Sequence, residues 1–94
     1  IEEKYRLSDQ MIRSSRSSTA NIAEGYGRFH FQENIQFCRQ ARGSLYELID
    51  HVLVAEECEY IDLTSAGDLI EEVKTSIKVL NEYIKYLRSR KEND

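Results

Sequence analysis

The chain predicts an all-α, up-and-down antiparallel helical bundle, and three observations carry that expectation. Its 94 residues include no proline, and 32% of them are charged, which suits long amphipathic helices. Apolar residues recur at helical spacing over long stretches. Strand alternation and long Gly/Ser linkers are both missing. One domain, 1–94, is expected, with a single core of marginal size.

The first helix is expected over about 8–25, with Ser8 as its N-cap and Asp9 in the first turn, where negative charge suits the helix dipole. Gly25 and Gly27 are expected to end it in left-handed conformations. Met11, Ser15, Ser18 and Ile22 form its inner face. These mostly small side chains let a neighbouring backbone come close while burying little apolar area.

The second helix is expected over about 31–59. Its start is weakly capped, because His30 is a poor capping residue even with Glu33 three positions on. Two interleaved rows, Ile35, Cys38, Leu45, Ile49, Val52 and Phe37, Ala41, Leu48, Ala55, make a face wide enough for two neighbours. The third helix, about 63–89, takes Asp62 as its cap. Ala66, Ile70, Val73, Ile77, Leu80, Ile84 and Leu87 repeat at 4-3-4-3-4-3 spacing, the pattern of near-antiparallel bundle packing. Lys85, Arg88, Arg90 and Lys91 complement its C-terminal dipole and are expected to fray into a solvated tail.

Function classes narrow from the same residues. No apolar run approaches the roughly 20 residues that a membrane helix needs. Cys38 and Cys58 would stand about 30 Å apart on one helix, too far to bridge, so both are read as reduced thiols in a cytoplasmic protein. Neither they nor His30 and His51 have metal-ligand spacing, and no cofactor is implied. Asp50 and His51 point apart, Ser44 and His51 are two turns apart, and Glu56, Glu57 and Glu59 read as a solvated helix end. No catalytic residue is assigned, and an enzyme is not expected.

Net charge is −4, but residues 4–42 carry seven positive and three negative charges against six and twelve in 43–94. A local basic surface is therefore possible on an acidic protein. Arg13, Arg16, Arg28 and Arg39 are the candidate phosphate contacts, weighed against a solvated face with intersubunit salt bridges. The tyrosines at 5, 26, 46, 60, 83 and 86 read as packing residues rather than stacking platforms. Arg42 lies in an apolar row between Cys38 and Leu45, where an unpaired guanidinium would be costly. A contact from Glu24 to Arg42 between helices is expected, with Asn21 bonded to nearby backbone; a ligand pocket is the second reading.

Asn21-Ile-Ala-Glu-Gly-Tyr-Gly-Arg28, followed by Ala41-Arg-Gly-Ser-Leu-Tyr-Glu-Leu48, resembles the bacterial four-helix-bundle family that includes the proteins encoded in intervening sequences of 23S ribosomal RNA genes. Arg13-Ser14-Ser15-Arg16-Ser17 is similar to part of that family's second helix, and the likeness spans roughly residues 5–90. Asn21, Glu24, Gly25, Gly27 and Arg42 are its structural signature here. The resemblance implies a cytoplasmic homo-oligomer, a pentamer in characterised relatives, and no enzyme. A related group are accessory proteins of reverse transcriptases, for which nucleic-acid binding is suggested. Relatives generally carry another helix before the segment matching Ile1–Leu7; without it, three helices remain and an apolar groove is open, to be covered by a partner subunit or an upstream segment. Two roles follow from the likeness: an oligomeric scaffold that binds RNA or DNA, or an adaptor that docks a reverse transcriptase or another enzyme.

Overall fold

Helix α1 spans Glu2–Tyr26 and so begins well before Ser8. Nothing in residues 2–8 breaks a helix, Glu2 and Glu3 suit the first turn, and burial of Leu7 outweighs the capping preference of Ser8. Its inward row is Leu7, Met11, Ser14, Ser18, Asn21 and Gly25, at 4-3-4-3-4 spacing. The expected face is thus rotated: Ser15 is exposed and Ile22 is 38% exposed. The chosen row carries Gly25 and two serines and admits a closer neighbour than a row carrying Ile22. Neither glycine is left-handed. Gly25 is helical, and Gly27 caps the helix at φ −74°, ψ −6°.

Helix α2 spans Phe31–Glu57 behind His30, which caps it in extended conformation without a side-chain bond. Both expected apolar rows are used. The helix stops two residues short of Glu59, which adopts φ 61°. Glu59 N–H donates to Glu56 O at 2.9 Å and Tyr60 N–H to Ala55 O at 2.9 Å, the paired bonds of a Schellman ending built without glycine. Helix α3 spans Leu63–Asn93. Ser65 N–H donates to Asp62 Oδ1 at 2.7 Å, as a cap requires, and this bond holds the Asp62 carboxyl below the usual carboxylate range. The 4-3 row of α3 is buried as expected, with Ile70 half-buried. Its basic end does not fray: Lys91 Nζ donates to Gln32 Oε1, and Arg90 lies over the Phe31 ring at 5.9 Å.

The structure is a computed structural model that describes residues 1–28 and 30–93, and no strand occurs among them. Helices α1 and α3 pack antiparallel along opposite flanks of α2 and do not meet each other. The molecule measures 52 × 22 × 12 Å. With α1 and α3 each packed on α2 and not on each other, the three helices form a single layer. The main apolar cluster joins Ile35, Cys38, Ala41 and Leu45 of α2 to Val73, Ile77, Leu80, Ile84 and Leu87 of α3. Helix α1 contributes nothing to it.

Candidate functional site

The α1–α2 seam is small and polar. A Cβ on Gly25 would stand 2.7 Å from Asn34 Oδ1 and 2.9 Å from Phe37 Cβ, so only glycine fits there. Farther along, Ser44 Oγ donates to Ser17 Oγ at 3.0 Å, and Asn21 Nδ2 donates to Ser17 O at 2.9 Å. Asn21 therefore bonds to nearby backbone as expected. The expected Glu24–Arg42 contact is absent. Glu24 pairs with Arg28 at 2.9 Å on its own helix, while Arg42 turns to α3 and donates to Asn81 Oδ1 at 2.8 Å. Arg42 lies on the side of α2 away from α1 and is only half-buried, so its head reaches a neutral partner at the rim.

Asn34 was not singled out from the sequence and is the node of the fold. Buried on α2, it abuts Gly25 of α1, its Nδ2 donates to the Tyr83 hydroxyl of α3 at 3.2 Å, and its Oδ1 accepts from Cys38 Sγ at 3.5 Å. The available signal was its place at the head of the row Asn34, Cys38, Ala41, Leu45, Leu48, Val52, Ala55, where all other members are apolar. Burial pushes the Cys38 thiol pKa up, in keeping with a core residue.

The four candidate arginines are not brought together. Arg13 pairs with exposed Asp9 at 3.3 Å, and Arg16 stands on the exposed side of α1. Arg28 pairs with Glu24, lies 3.8 Å from Glu33 and covers the Phe37 ring at 5.0 Å. Arg39 lies across α2 from α1 and lines a cleft of about 250 Å³ with Gln32, Ile35, Arg88 and Lys91. Four of the six tyrosines, 5, 26, 46 and 86, are exposed in the single chain. Tyr83 packs on the core and stacks on Tyr86 with centroids 6.3 Å apart.

Helix α1 carries a second row, one residue after the first: Ile1, Tyr5, Ser8, Ile12, Ser15, Thr19, Ile22 and Tyr26, again at 4-3 spacing. Its five large members are all exposed. Helix α3 carries Leu69, Val79, Tyr83 and Tyr86, each one residue before its α2-facing row. One residue is about 100° of helix. Because α1 and α3 are parallel to each other on opposite flanks, offsets of opposite sign turn both rows to the same broad side. That side therefore exposes apolar side chains along both flanks, with Glu72 and Ser76 interrupting the α3 row.

The described residues thus form three successively antiparallel helices with exposed apolar rows on one side. Among the described residues, no helix is long and apolar enough to cross a membrane. Residues 1–82 match the family of 23S rRNA-intervening sequence proteins, and the chain belongs to that family. No curated protein and no solved structure matches it.

Proposed function

We propose that the chain is a cytoplasmic, non-enzymatic scaffold that works as a homo-oligomer, a pentamer on the family likeness, and that its assembled surface binds nucleic acid. The observation that carries this reading is the exposure of the outer apolar rows of α1 and α3 on one side of the molecule, which we read as the walls of a groove. The α1 row repeats at heptad spacing and the α3 row supplies Val79, Tyr83 and Tyr86 at the same spacing, so a further helix can use the packing already present within the chain. A helix of a neighbouring copy fills it and completes four-helix packing. Exposed apolar rows of this length favour association. In a ring, weak contacts to a polyanion are repeated by symmetry and add through avidity.

Native mass measurement tests the reading. The unaltered chain is expected as a closed oligomer. Ile12→Asp combined with Ile22→Asp, at positions exposed in the single chain, is expected to give a helical monomer by circular dichroism and mass. A monomeric wild type at high concentration, or a variant that assembles as before, rejects the scaffold.

A further inference from the structure

We propose that the cleft between the first turns of α2 and the last turns of α3, lined by Arg39, Arg88 and Lys91, receives backbone phosphates of nucleic acid. The proposal deepens the nucleic-acid part of the reading above and rests on it. Three cationic side chains from two helices converge on one cleft with Gln32, over a floor at Ile35, which is 1% exposed. Like charges gathered this way repel, and an anion between them relieves that repulsion. Among the described residues, no carboxylate lies within ion-pair distance of any of the three. Arg13 and Arg28, by contrast, are already paired.

The surroundings hold the cleft in shape and extend its charge. Lys91 is tied to Gln32, and Arg90 is seated on Phe31, so the end of α3 is fixed against the start of α2. Lys85 stands one turn before Arg88 on α3. The positive surface is therefore longer than a single phosphate needs, which favours a polymer over a free anion. Around α2, Gln32 and Arg39 stand about 140–160° from Asn34, and Asn34 meets Tyr83 on the groove side. Filling the groove with another subunit leaves the cleft open.

The test is fluorescence anisotropy with a short single-stranded RNA over a series of salt concentrations. Arg39→Gln/Arg88→Gln is compared with wild type and with Arg13→Gln/Arg16→Gln; all four positions are exposed, and thermal melting checks the fold. Loss of two phosphate contacts is expected to make the slope of log K against log salt shallower by about 1.4, roughly a 25-fold loss at 0.1 M salt. The α1 variant is expected to keep the wild-type slope. If the cleft variant binds as wild type does, the cleft assignment is overturned while the nucleic-acid reading stands. If wild type binds no RNA even at low salt, that reading falls and takes the cleft with it. Complete displacement by inorganic phosphate at equal phosphate concentration would show a small-anion site and reject the backbone assignment.

Discussion

At the scale of single residues, Gly25 and Asn34 decide how α1 meets the rest of the fold. Alanine is the better helix former by about 1 kcal/mol, so propensity alone favours Gly25→Ala. The contacts at Asn34 and Phe37 say the opposite. Overpacking at such a site costs about 1–3 kcal/mol, and Gly25→Ala should lower the denaturation midpoint. Gly67, also helical, has open space where a Cβ would go, and Gly67→Ala should raise stability by about 0.5–1 kcal/mol. Opposite signs in urea titrations of the two variants would check the close approach; the same sign would refute it. The block from Asn21 to Arg28 reads in the sequence as a place of close helix approach, which Gly25 bears out; only the left-handed ending expected of Gly25 is absent. Helix-ending and helix-approaching glycines look alike in one dimension, and only the facing side chains tell them apart.

At the scale of elements, legibility followed apolar content. The α3 row is built from large aliphatic side chains, so its period had one solution and the structure uses it. The α1 face is mostly Ser, Asn and Gly, for which burial energy hardly distinguishes neighbouring rows, and its position was misjudged by one residue. Helix ends divided likewise. Asp62 announced itself as a cap, whereas the α2 ending depends on Glu59 holding a left-handed conformation that its side chain disfavours. That conformation costs about 1 kcal/mol or more for a non-glycine residue. Glu59→Gly should therefore stabilise the protein by about 1 kcal/mol, read as a higher melting temperature. An unchanged or lower value would contradict the Schellman ending.

At the scale of the whole molecule, α2 is shared by two unequal seams. The seam with α3 is a continuous apolar cluster, and the seam with α1 is held by close approach and hydroxyl bonds. Stability should follow that inequality. In native-state hydrogen exchange on the dilute chain, the amides of mid-α1 should open at lower free energy than those around Leu45 and Leu80; equal protection would argue for a single cooperative unit. The candidate site was legible only in part. Arg39 was chosen from the sequence, but Arg88 and Lys91 were read as a loose tail, because nothing local shows that Gln32 and Phe31 wait beside them.

The antiparallel arrangement also sorts charge along the long axis. Glu2, Glu3, Glu56, Glu57, Glu59 and Asp62 gather at one tip, despite Lys4 and Arg6 there, and Arg28, Arg39, Lys85, Arg88, Arg90 and Lys91 lie towards the other, where Glu24, Glu33 and Glu82 offset part of their charge. Such a rod is a bar magnet in electrostatic terms, and a polyanion exerts a torque on it before any contact forms. A chain that is acidic in sum thus turns its less acidic tip toward any polyanion it meets.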